Sequence, residues 1–269
     1  MSTVIYEIEA GIGWVTLNAP EKLNALSEEL SGELKRVLAD TKDNPDVRAV
    51  VLRANGRAFS SGYNLTGAGT RRGSFPEWMD GPYRRQRIQE WMDLIWNNPK
   101  PVVAEVQGYC YAGAGDLVAM CDITIAADNA SFGYPVLSVN THAPATLWPW
   151  LIGMKLTKEL VLMGRTIGAE EALRAGLVNR VVPVAELPSV VREYATILAN
   201  AADRTWAKMA INDVYSYGMG VDAGLRHLTL PTWPSGKDDS VHEEWRRRIQ
   251  DEGVKSAVAW RDSQFRLQQ

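Results

Sequence analysis

The chain has 269 residues, 46% of them hydrophobic and 23% charged, with a formal net charge of −3. That length suits one large domain or a domain with an appendage, and the weak negative charge argues against nucleic acid or an anionic membrane surface as a bulk electrostatic partner. No apolar run reaches membrane-spanning length, MSTVIYEIEA lacks a signal-peptide layout, and two cysteines with three histidines make neither a disulfide framework nor a metal-ligand pattern, so a cytoplasmic, metal-free protein is expected.

Val4, Tyr6 and Ile8 alternate before a turn placed at Ala10–Gly13, and Trp14 to Leu17 follow, which predicts a β-hairpin. After a loop over 18–22, Ser27 caps a predicted helix to about Thr41, with Leu30, Leu34, Val37 and Leu38 on one face. Ala49 to Leu52 reads as a buried strand and 57–74 as a glycine-rich loop. The pattern over 76–97 is helical and ends at Pro99-Lys100-Pro101. A buried strand is predicted at 102–106, a helix from the glycine stretch to about Met120, and a strand over 122–126. Residues 127–150 read as irregular, with helices at about 155–163 and 169–175 and a strand at 177–182. From about 186 the pattern is helical, so the expected division is a core over 1–200 and a helical C-terminal region over 201–269. Short apolar strands alternating with loops and helices predict an α/β fold.

Residues 108–122, GYCYAGAGDLVAMCD, place a run of glycine and alanine between a buried strand and a helix. Such bare backbone serves either a phosphate or an oxyanion. Gly113-Ala114-Gly115 lacks the third glycine of the dinucleotide fingerprint, and no Gly-Lys-Ser/Thr follows, which raises the oxyanion reading. A second small-residue element, AFSSGYNL at 58–65, also follows a buried strand, so two strand ends each have an N–H to offer one oxygen.

The blocks VTLNAPEKLNAL (15–26), AFSSGYNL (58–65), KPVVAEVQGYCYAGAGDLVAMCDITIAADNASFGYP (100–135) and GRTIGAEEALRAGLVNRVV (164–182) occur in this order. Together they resemble the crotonase, or enoyl-CoA hydratase/isomerase, superfamily, most strongly from about 12 to 183. The resemblance implies a spiral of repeated β-β-α units followed by a helical trimerisation region, a homotrimer or dimer of trimers, and an acyl-CoA substrate. Coenzyme A enters as part of that thioester and no other cofactor is implied. The two oxyanion N–H groups map to Ser61 and Gly113. Ser61, Gly62, Tyr63, Asn64, Leu65 and Val136 line the thioester site, and Lys22, Asn24 and Ala25 meet the nucleotide end.

Family hydratases carry two glutamates, and here the corresponding positions are Asp116 and Val136. One acid is shortened and the other replaced, so a one-acid proton transfer is expected, with His142 as the second candidate catalytic group. An acid in a first helical turn also fits simple dipole stabilisation, and Tyr63, Tyr111 and Tyr134 are alternative hydroxyl sources. Trp148 and Trp150 fit either an acyl pocket or plain packing, His227 and His242 read as structural or exposed, and Arg71, Arg72, Arg84, Arg85 and Arg87 as a solvated cluster or CoA phosphate ligands. Hydration, double-bond isomerisation and hydrolytic cleavage of a β-dicarbonyl all remain open. So do a serine hydrolase using Ser60, Asp116 and His142, and a non-catalytic acyl-CoA-binding module.

Overall fold

The structure is a computed structural model that describes residues 2–64, 89–135, 147–201, 203–227 and 240–265. Its first element is the predicted hairpin, β1 (Val4–Glu9) antiparallel to β2 (Ile12–Leu17). The turn is shorter than expected. Ala10 and Gly11 alone form it, both with positive φ (53° and 80°), and Ile12 and Gly13 already pair in the strand. A two-residue turn with left-handed backbone matches the twist of the strands it joins.

Helix α1 (Glu28–Asp43) starts where expected, because the Ser27 hydroxyl accepts the Leu30 N–H at 3.1 Å. β3 (Ala49–Ala54) and β4 (Val102–Val106) add parallel to β2, and the chain before β4 passes through a π-helical turn at Met92–Trp96. β5 (Tyr109–Tyr111) leads into α2 (Gly113–Ala119). β6 (Ile123–Ala127) joins the large sheet and β7 (Ser131–Gly133) joins β5. Then come α3 (Trp148–Leu151), α4 (Gly153–Met163), β8 (Thr166–Gly168), α5 (Ala169–Ala175) and β9 (Arg180–Val182).

Two sheets result. The six-stranded one runs β1-β2-β3-β4-β6-β9 and the three-stranded one β5-β7-β8. Successive turns of chain give one strand to each: β4 then β5, β6 then β7. This is the β-β-α spiral that the resemblance implied. The predicted strands at 177–182 and 122–126 are realised as β9 from Arg180 and β6 from Ile123. Beyond β9, α6 (Leu187–Asn200), α7 (Thr205–Asp213), α8 (Val221–His227), α9 (Ser240–Glu252) and α10 (Val254–Phe265) carry the rest, with no strand among the described residues. No described helix is long and apolar enough to cross a membrane.

The parallel strands are buried on both faces, which is why they read as unbroken apolar runs. Alternation divides them. Val15, Leu17, Val50, Leu52, Val102, Ala104 and Val106 face the main core with α1 and α2. Ile12, Trp14, Ala49, Val51, Val103 and Ile125 face the other way, onto Leu187, Val190, Val191 and Ala195 of α6. Those α6 residues recur at helical spacing, so one stripe of the helix closes the back of the sheet.

Candidate active site

The glycine stretch and the 58–65 loop meet. Ser60 and Cys110 form a parallel bridge, with the Ser60 N–H donating to Tyr109 O at 2.9 Å and the Tyr111 N–H to Ser60 O at 3.1 Å. Gly62 (φ +89°) lies against the next residues, and a Cβ there would stand 2.6 Å from the Tyr111 carbonyl oxygen. Only glycine meets both demands. Ala112, in the N-cap position of α2, has φ 50° and ψ −122° and is held by its N–H to Gly133 O at 2.8 Å. A non-glycine residue in that conformation is strained, and such strain persists where neighbouring structure dictates it.

The opposite edge of the 58–65 loop pairs with the 22–26 segment. The expectation for Ser61 needs correction here. Its N–H donates to Leu23 O at 3.0 Å and so is turned away from Gly113. Tyr63 stands in a parallel bridge with Leu26, in which Leu26 N–H donates to Gly62 O and Asn64 N–H to Leu26 O. In that ladder the bonds belong to the flanking residues, so the N–H and C=O of Tyr63 itself face away from Leu26. The Tyr63 ring lies over Gly113, where a Cβ would collide with it. The bare backbone at Gly113 is thus needed first for a ring of the protein itself.

Asn24 is a second correction. It is 0% exposed, its Oδ1 accepts the Ala19 N–H at 2.8 Å, and its Nδ2 donates to Asn55 O and Ala58 O at 2.9 and 3.0 Å. With its amide committed on both sides it staples two loops together and has no face for a ligand. Lys22 is exposed and Ala25 half-buried on the same segment. Ser60 is likewise closed off. At 0% exposure, with its Oγ accepting the Gly62 N–H at 3.1 Å, it shapes the turn. His142, Leu65, Val136 and the five arginines lie outside the described residues, as do the side chains of His227 and His242.

Asp116 sits one turn into α2 and is 4% exposed. Its Oδ1 accepts the Tyr134 hydroxyl at 2.7 Å. β5 and β7 explain the meeting: Tyr111 pairs with Gly133, so residue 134 lies beside 112, four residues before the acid. Trp148 belongs to the core. Its ring packs edge-on against Tyr134, and its Nε1 donates to Gly115 O at 3.3 Å. The sequence singled out Asp116 and the Tyr134 hydroxyl separately but not their contact, because the pairing of two three-residue strands creates it. The residues brought together are therefore Gly62, Tyr63, Gly113 and Asp116, with Ser61 on the outer edge and Lys22–Ala25 beyond it.

The sequence profile of the enoyl-CoA hydratase/isomerase family matches residues 7–216. The chain belongs to that family. A carnitinyl-CoA dehydratase of Escherichia coli K12 is 36% identical over 235 residues, covering 82% of this chain and 85% of its own. A probable mitochondrial enoyl-CoA hydratase of Dictyostelium discoideum is 33% identical over 225 residues, with 82% and 78% covered. Among solved structures, an enoyl-CoA hydratase/isomerase from Xanthobacter autotrophicus Py2 superposes with a TM-score of 0.85 at 30% identity, over 99% of each chain. In an enoyl-CoA hydratase/isomerase fold, the two loops joined at Ser60–Cys110 stand at the carboxyl ends of β3 and β4, where open parallel sheets place their ligands.

Proposed function

We propose that the protein is a lyase or isomerase of acyl-CoA thioesters, with main-chain amides of Gly113 and Tyr63 on the thioester oxygen and Asp116 as the proton carrier. Asp116 takes the proton α to the carbonyl, and the electron pair moves onto the oxygen held by the amides. The protonated acid then returns the proton, to another substrate carbon in isomerisation or to the departing hydroxyl in dehydration. Each amide is worth on the order of 3 kcal/mol to the barrier, because charge on that oxygen develops only in the transition state.

The observation that carries this reading is a buried carboxylate one turn beyond the Gly113 amide, beside the Tyr63 ring. The relatives named dehydratase and hydratase support the lyase class. The burial of Ser60 weighs against the serine hydrolase. His142 remains the proposed second proton carrier. Coenzyme A is proposed as part of the substrate only, and a cytoplasmic homotrimer or dimer of trimers as the setting. Asp116→Asn is expected to lower turnover of crotonyl-CoA or its hydrated product by about 100-fold or more while CoA-ester affinity measured by calorimetry stays within about twofold. Parental rates in that variant would remove Asp116 from the chemistry. Binding without turnover by the parent, across a panel of acyl-CoAs, would instead mark a non-catalytic module.

A further inference from the structure

The Asp116–Tyr134 contact is built from several sides. The phenol meets Oδ1 at 2.7 Å, and both side chains are buried. The Tyr134 ring cannot swing away, because Trp148 lies edge-on to it at 4.9 Å between centroids and 63° between planes. Trp148 in turn is bonded to Gly115 O, and a Cβ at 115 would stand 2.7 Å from its ring. The backbone on either side is tied by the Ala112 N–H to Gly133 O bond. Four residues with few conformational options thus aim one hydroxyl at one carboxylate oxygen.

We propose that Tyr134 is a positioning residue for Asp116, committing Oδ1 to the phenol and fixing the carboxylate rotamer. This rests on the reading of Asp116 as the proton carrier. Burial, the neighbouring Asp116 charge and the hydrogen bond itself all push the phenol of Tyr134 well above its ordinary range, so it stays a donor. A donor to the anionic form favours that form, and removing it makes the carboxylate easier to protonate. The other titratable groups facing the pair, among the described residues, are Tyr63 from the loop after β3 and Cys110 from β5, with Cys121 behind Cys110. Burial keeps both the Cys110 and Cys121 thiols neutral.

The test is Tyr134→Phe in full-length protein carrying 13C-labelled aspartate carboxyls, with Asp116→Asn to assign the resonance. The Asp116 titration is expected to move up by about one to two pH units in Tyr134→Phe. The acid limb of α-proton exchange of butyryl-CoA in D2O is expected to follow it, with KM little changed and no further effect of Tyr134→Phe in the Asp116→Asn background. An Asp116 titration that stays in place overturns the proposal, and needs no substrate to do so. Should Tyr134→Phe not fold, 3-fluorotyrosine at 134 keeps the shape and strengthens the donor. The titration then moves down, and an unmoved one again overturns the proposal. If Asp116→Asn exchanges butyryl-CoA protons at the parental rate, it is the reading of Asp116 that fails, while the carboxyl titration still decides the Tyr134 contact.

Discussion

Glu105 on β4 lies two residues beyond Val103, on the sheet face covered by α6, and is 7% exposed, with Oε2 lacking a hydrogen-bond partner among the described residues. Burial pushes its carboxyl up, and the Arg53 charge only partly opposes this. The folded chain therefore holds the proton to higher pH than the unfolded chain does. Its contribution is most favourable below the ordinary carboxylate range, near 4.3, and is lost as pH rises through the raised folded value. Glu105→Gln removes that dependence. Urea unfolding at pH 4.5 and pH 8 is expected to show its stability relative to the parent improving by about 1 kcal/mol across the interval. A pH-independent difference would mean that Arg53 keeps Glu105 ionised throughout. Sequence gave no hint of this site, since one acid in an apolar run is silent about which face it occupies. The same holds for Asn24 and Ser61. Their residue types fit a binding loop, but where an amide is spent depends on the neighbouring segment.

At the scale of elements, α7 is tied to the sheet through one cation. Lys208, buried, meets Asp122 Oδ2 at 2.7 Å and the carbonyls of Ile95 and Lys100 at 3.2 Å, while the same carboxylate accepts the Val102 N–H. Burial raises the Asp122 carboxyl and lowers the Lys208 ammonium, and their attraction opposes both. Lys208→Met leaves Asp122 without its cation. It is expected to cost about 3 kcal/mol by denaturant unfolding, the low end for a buried pair because Asp122 keeps some exposure. Adding Asp122→Asn should recover part of that loss, and a double variant as weak as the single one would refute the pairing argument. Elements with strong local signals were legible: α1 with its Ser27 cap, the unbroken run of β4, and α5. The short strands β5, β7 and β8 were not. Each has only three residues, too few for periodicity to register, and each exists because a neighbour supplies hydrogen bonds.

For the whole molecule, the C-terminal region leaves large apolar side chains uncovered. Trp206 is 80% exposed, and Ile211, Val214 and Tyr217 are exposed with it. The proposed trimer would cover such a surface. Light scattering after size exclusion is expected to give three or six chains for the parent and a smaller species for Trp206→Glu, with the monomer fold kept by circular dichroism. A monomeric parent would end the proposal.

Sequence by itself determined the α/β class and the family. Apolar strand runs, the capped helix and the two small-residue loops are local patterns, and their order along the chain is specific. Only the tertiary structure decided that the Ser61 amide is spent on Leu23, that the Tyr63 ring covers Gly113, and that the Tyr134 hydroxyl meets Asp116. The reason is that a hydrogen bond joins groups far apart in the chain, and its direction depends on which edge of a segment each neighbour occupies. Composition and periodicity do not encode that arrangement until the sheets have formed.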